Sequence, residues 1–195
     1  MRSLYDFIIK PKGNRYNNKK KIGDKELILN SEIAHHQYVN RIGIVLSLPS
    51  IGKTEIKVGD EIIVHHNVFR RFHNIHGKEN NSRSYINNNT YTVSKDQIFA
   101  YKRNTWLPLK GYCFIKPIKS YDKLSIEKEQ PLIGIMKYCD HNLQDIKSGD
   151  LVGFTPNSEY EFIIDDERLY RVLTNSISIK YEYQGQEEEY NPSWL

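Results

Sequence analysis

Cysteine is scarce in this chain: Cys113 and Cys139 are the only two among 195 residues, too few for the disulfide framework that staples small secreted domains. Both fall in strand-like stretches, which reads as buried small apolar residues rather than reactive thiols. Long apolar runs are missing too. Nothing approaches the roughly 20 consecutive apolar residues of a membrane-spanning helix, and Met1 to Pro11 lacks the apolar core of a secretion signal. The expectation is a soluble, cytoplasmic protein of a reducing compartment. Also absent are helical periodicity over a dozen residues, a P-loop, a dinucleotide fingerprint and a Ser-His-Asp pattern, so no enzyme and no cofactor are expected. His65-His66 and His73-x-x-His76 supply nitrogen ligands, but no cysteine or paired carboxylate completes a tetrahedral set. Two histidines adjacent on one strand would also point to opposite faces, so a metal is not expected.

What the chain does contain is itself, twice. Tyr5 to Pro11 reads Y-D-F-I-I-K-P and Tyr112 to Pro117 reads Y-C-F-I-K-P. Arg41 to Leu46 (R-I-G-I-V-L) returns as Leu132 to Lys137 (L-I-G-I-M-K), and Glu55 to Val64 (E-I-K-V-G-D-E-I-I-V) as Asp145 to Phe154 (D-I-K-S-G-D-L-V-G-F). Tyr91 to Tyr101 returns loosely as Tyr170 to Lys180. Four blocks in one order mean a tandem duplication. The offset is 106 from Pro11 to Pro117, 91 from Gly43 to Gly134, 90 from Gly59 to Gly149 and 79 from Val93 to Val172. Two stretches are therefore longer in the first copy, one between Pro11 and Gly43 and one between Asp60 and Tyr91. The domains expected are 1–105 and 106–195.

Short apolar runs bounded by Gly, Asn, Asp and Pro recur in both copies, an all-β pattern. Many short strands at such spacing fit small barrels, in which closure removes exposed edges. Val58-Gly59-Asp60 and Ser148-Gly149-Asp150 each precede an apolar run. Glycine can take a positive φ there and the aspartate can accept from nearby backbone amides, so Gly59, Asp60, Gly149 and Asp150 read as structural turns. Charge is divided unevenly. Residues 1–105 hold 18 Lys+Arg against 9 Asp+Glu, net +9, and residues 106–195 hold 10 against 15, net −5. Such a division favours an acidic partner for the first copy or attraction between copies.

The two long stretches differ in character. Gly13 to Asn30 is rich in Asn and Lys and broken only by Leu27-Ile28-Leu29, a composition that reads as a mobile loop, about 13–40, carrying an apolar tripeptide. The alternative is that Leu27 to Leu29 is one more barrel strand. Arg70 to Thr90 is basic, carries Phe72, Ile75 and Tyr85, and reads as an inserted hairpin, about 70–90. A solvated hairpin or a subunit contact is the commoner meaning of such a segment, and nucleic-acid binding is not expected.

In their order these blocks resemble the GroES family of co-chaperonins, the lids of bacterial-type chaperonins. Ile56 to Val64 (I-K-V-G-D-E-I-I-V) is the most specific piece, with Arg41 to Leu46 as the middle strand and Ser94 to Tyr101 as the closing one. The resemblance implies two tandem GroES-like small β-barrels and places Leu27, Ile28 and Leu29 where the family docks on a GroEL-type chaperonin. Lys19, Lys20 and Lys21 become steering charges. It further implies a homo-oligomeric ring, a heptamer in the family, with ATP and Mg bound by the partner and not by this chain. Lys25-Glu26 replaces the glycines usual before the tripeptide. The second copy offers only Leu124 and Ile126 within Ile118 to Pro131, a degenerate loop. The Asn-, Lys- and Tyr-rich composition suits a bacteriophage version acting in the host cytoplasm, with capsid protein as client. The alternative function is a virion decoration protein that uses the same barrels as an assembly module.

Overall fold

The computed structural model of this chain describes residues 2–28, 35–122, 128–185 and 187–192. It comprises two units, Met1–Thr105 and Trp106–Leu195. In the first, the strands are β1 (Phe7–Pro11), β2 (Lys19–Ile22), β3 (Lys25–Ile28), β4 (Ile42–Ser47), β5 (Glu61–Val64), β6 (Arg71–His73), β7 (Glu79–Asn81), β8 (Tyr85–Asn87), β9 (Thr90–Val93) and β10 (Ile98–Lys102). In the second they are β11 (Trp106–Pro108), β12 (Tyr112–Lys119), β13 (Glu129–Tyr138), β14 (Leu151–Phe154), β15 (Tyr160–Ile164), β16 (Glu167–Leu173) and β17 (Ile177–Tyr181). β-Branched and aromatic residues dominate these runs because their side chains pack well on a pleated surface. Among the described residues helix is limited to three single 3-10 turns, and no helix is long and apolar enough to cross a membrane.

The main sheet of the first unit carries the order β10-β5-β4-β1-β9-β8, and the second unit repeats it as β17-β14-β13-β12-β16-β15. Register repeats with it. Ile9 faces Val45 and Pro11 faces Gly43 across β1 and β4, as Ile115 faces Met136 and Pro117 faces Gly134 across β12 and β13. On the other edge Ile9 faces Tyr91, as Ile115 faces Tyr170. The spacings between equivalent residues are those read from the sequence offsets, so the extra length of the first copy lies outside its framework. Even the short turn before the last strand recurs, Lys95–Gln97 before β10 and Thr174–Ser176 before β17.

The closed barrels expected from strand spacing do not form: both sheets are open. A strand has two edges, and β9 spends one on β1 and the other on β8, as β16 does on β12 and β15. Among the described residues β8 does not pair with β10, nor β15 with β17, so the two ends of each sheet do not meet. Each unit buries a small apolar centre. Ile9, Val45, Ile62, Tyr91 and Val93 are at most 1% exposed in the first unit, as are Cys113, Ile115, Met136, Val152 and Val172 in the second.

Candidate functional site

The first long stretch, expected as a loop, is in part an ordered ribbon. β2 and β3 pair from Lys19↔Ile28 to Ile22↔Lys25, which leaves Gly23-Asp24 as a two-residue hairpin turn with Gly23 at φ +59°. Type II′ turns place a glycine at such a dihedral in the first central position and match the twist of the flanking strands. The G-D dipeptide between K-K-K-I and K-E-L-I was the available sequence signal. The ribbon belongs to neither main sheet, so Leu27-Ile28 is not a further strand of the framework.

Every residue of β3 is exposed. Ile22, Leu27 and Ile28 show 61%, 51% and 60% of their surface. Alternation along the ribbon puts Leu27 on one face with Ile22, and Ile28 on the other with Lys19 and Glu26. Leu27 and Ile28 therefore cannot enter one flat groove together unless the ribbon opens, and Ile22, which sequence reasoning missed, is the aliphatic neighbour of Leu27. Leu29 lies outside the described residues, as do Leu124 and Ile126. Lys19 is less free to steer a partner than its sequence implied, since its Nζ sits 2.9 Å from Glu26 Oε2. Lys20 and Lys21 lie on β2.

The neck below the ribbon is firmly tied. Asn17 N–H donates to the Tyr38 carbonyl (2.8 Å) and Asn40 N–H to the Arg15 carbonyl (3.0 Å), so residues 15–17 run beside 38–40. Asn40, 3% exposed, donates from Nδ2 to the Lys12 and Asn14 carbonyls at 2.8 and 2.7 Å. Arg15 then joins this arm to the second insertion. Its guanidinium donates to the Phe69 carbonyl, to the Arg70 carbonyl (3.0 Å) and to Asn81 Oδ1 (2.6 Å), and it lies 5.4 Å from the centre of the Tyr91 ring. Tyr16 Oη accepts from Arg71 N–H at 2.7 Å. The second insertion does form a hairpin, β6 with β7, tied by Arg71 to Glu79 (2.7 Å) and carrying Ile75 at 95% exposure. Two insertions separated in sequence thus share one clamped base.

Histidines meet at that base. β5 ends at Val64, so the alternation argument does not reach His65 and His66, whose rings lie 4.3 Å apart. His36 lies 5.5 Å from His66, and His35 5.9 Å from His36. Burial, with His65, Arg41, His36 and Arg70 close by, pushes the His66 imidazole down to about 3. Among the described residues no group of three or more His, Cys, Asp or Glu is disposed to hold a metal ion.

The Gly-Asp turns are fully engaged within the fold. Gly59 (φ +90°) and Gly149 (φ +95°) donate to the Val45 and Met136 carbonyls, each at 2.8 Å. Asp60 Oδ2 accepts from Lys57 N–H (2.7 Å) and Asp150 Oδ2 from Lys147 N–H (2.8 Å). Arg103 pairs with Asp60, and Lys180 lies 2.6 Å from Asp150. The thiols sit together in the second unit: Cys113 lies on β12, and Cys139 stands one step beyond the Phe114↔Tyr138 pair, packed on the same apolar cluster. Burial first, and then Cys113, push the Cys139 thiol up to about 12, which leaves little thiolate to react at neutral pH. No protein-family model and no curated protein matches the chain.

Proposed function

We propose that the chain is an ATP-independent co-chaperonin lid that docks on a GroEL-type chaperonin through the β2–β3 ribbon. The observation that carries this reading is the set of exposed aliphatic side chains, Ile22, Leu27 and Ile28, on a ribbon whose base is clamped to the fold. An isolated two-stranded hairpin is marginal in water, so a groove that covers the face carrying Ile22 and Leu27 stabilises ribbon and contact together. Two buried aliphatics contribute roughly 3–6 kcal/mol before ordering costs, which is weak binding for one ribbon. Several ribbons on a homo-oligomeric ring raise the effective concentration of one another and bind by avidity. In this reading the partner hydrolyses ATP, and the lid contributes closure and cavity size for a client such as a phage capsid protein. It needs only differential affinity for one chaperonin state.

Size-exclusion chromatography with light scattering, on the protein alone and then with a bacterial chaperonin and nucleotide, tests this. A ring that co-migrates only with nucleotide is expected, and Leu27→Asp is expected to lose co-migration while keeping its circular dichroism. A protein that ignores the chaperonin and instead adds to capsids overturns the lid in favour of a virion component. Loss of folding in Leu27→Asp overturns the ribbon as the contact.

A further inference from the structure

The duplication allows one copy to report what fits a cavity in the other. In the first unit Tyr91 is fully buried, and Phe69 covers it with ring centres 4.9 Å apart. Val68 and Phe69 belong to residues 65–84, the long connection between β5 and β8. The equivalent connection in the second unit is only residues 155–159, with no counterpart of Phe69. Tyr170, the equivalent of Tyr91, is accordingly only partly buried and lines a cavity of about 480 Å³ with Leu132, Phe154, Glu129, Glu159 and Arg168. Phe154, larger than Val64 at the matching place, takes up part of the space and forms an inner wall, 6.4 Å from Tyr170.

Two further features mark this cavity. A guanidinium stands over the tyrosine in both units, Arg15 over Tyr91 at 5.4 Å and Arg168 over Tyr170 at 5.0 Å. In the first unit that guanidinium donates to the carbonyl of the covering Phe69. In the second, Arg168 is held by Glu129 and by Glu161 (3.3 Å), and Tyr170 Oη donates to Glu129 Oε1 at 2.6 Å. Leu132, beside the register shift of β13, has φ +60°, a conformation bulky residues avoid and one concentrated at ligand sites.

We infer that the second unit's cavity is a peptide-binding site for a partner protein's segment with an aliphatic–aromatic pair followed by cations, the chemistry of Val68-Phe69-Arg70-Arg71. The aromatic ring stacks on Tyr170 beside Phe154, and the cations face the exposed carboxylate of Glu159 at the rim. This site shares no residue with the ribbon and does not rest on the lid reading.

The probe is the capped hexapeptide His-Asn-Val-Phe-Arg-Arg, copied from residues 66–71, titrated into the full ¹⁵N-labelled chain by NMR. Saturable shifts centred on Leu132 and Tyr170, with Kd of about 1 mM or tighter, are expected, and alanine in place of the peptide's Phe weakens binding about tenfold or more. Tyr170→Ala would also disturb Glu129 and Arg168, so the protein variant is Glu159→Lys, on the exposed rim, which is expected to weaken binding severalfold with an unchanged spectrum elsewhere. Failure to saturate, or equal binding of the alanine peptide, or shifts centred elsewhere, overturns the proposal.

Discussion

At the scale of single residues, His66 and Gly59 carry opposite kinds of constraint. Burial and surrounding cations hold His66 neutral down to about pH 3 in the fold, whereas an unfolded histidine protonates near 6.5. Below 6.5 the unfolded chain therefore binds a proton that the native one refuses, and native stability falls with pH until about 3. The slope from one such group is at most about 1.4 kcal/mol per pH unit, and the exposed part of the ring keeps it below that. Urea melts of the protein between pH 7 and 4 should show this loss, and His66→Phe should flatten it; an equal slope in the variant would remove His66 as the cause. Gly59 is constrained by backbone alone, with φ +90° and open space around a built Cβ. Gly59→Val is expected to cost about 1–2 kcal/mol or more through the left-handed region, and a thermal melt unchanged from wild type would contradict that account. Asp60 beside it was legible from the G-D pair, because an aspartate placed there can accept from the turn's own amides, as it does from Lys57.

At the scale of elements, the centre of the second sheet holds a buried charge. Lys116 on β12 is 2% exposed and lies 3.2 Å from Glu167 at the start of β16 and 3.3 Å from Glu189. Its counterpart in the first copy, Lys10, is exposed. Glu167 also takes Lys137 at 2.9 Å, and although burial works against the charge, hydrogen bonds from Lys137 and Lys116 hold its carboxyl below the usual range. Glu167→Gln leaves the buried Lys116 ammonium with only the more exposed Glu189 and should cost roughly 2–3 kcal/mol, while Lys116→Met removes the buried charge itself and leaves Glu167 paired with Lys137, so it should be near neutral. Chemical denaturation of the two variants checks the order, and a larger loss for Lys116→Met would refute it. The ribbon β2–β3 belongs to this scale as well. Its turn was readable from Gly23-Asp24, and the loop reading already set Leu27-Ile28 apart from the framework strands; that residues 19–28 pair with one another was not read, because a polar, Lys-rich stretch carries little strand signal.

At the scale of the whole molecule, one duplicated framework carries opposite charge in its copies, net +9 and −5. Head-to-tail contact between chains is favoured by that asymmetry and weakened by salt, since the screening length shrinks from about 10 Å at 0.1 M to 3 Å at 1 M. Light scattering is expected to report a smaller assembly at 1 M salt than at 0.05 M; an unchanged mass would remove the charge asymmetry as a source of contact between chains.

The sequence by itself determined the all-β class, the duplication, its offsets and the Gly-Asp turns, because these are local: alternation, β-branched runs and positive-φ residues act within a few positions. It also located both insertions, since added length in one copy needs no contact to be seen. Only the tertiary structure decided that the sheets stay open, because closure depends on whether the strands at the two ends of a sheet pair, which their own sequences do not fix. The same holds for the clamp of Arg15 on Phe69 and Asn81, the meeting of His36 with His66, and the cavity left at Tyr170. Each joins side chains distant in sequence or turns on the absence of one, and pairwise geometry of that kind is written in the packing rather than in any local pattern.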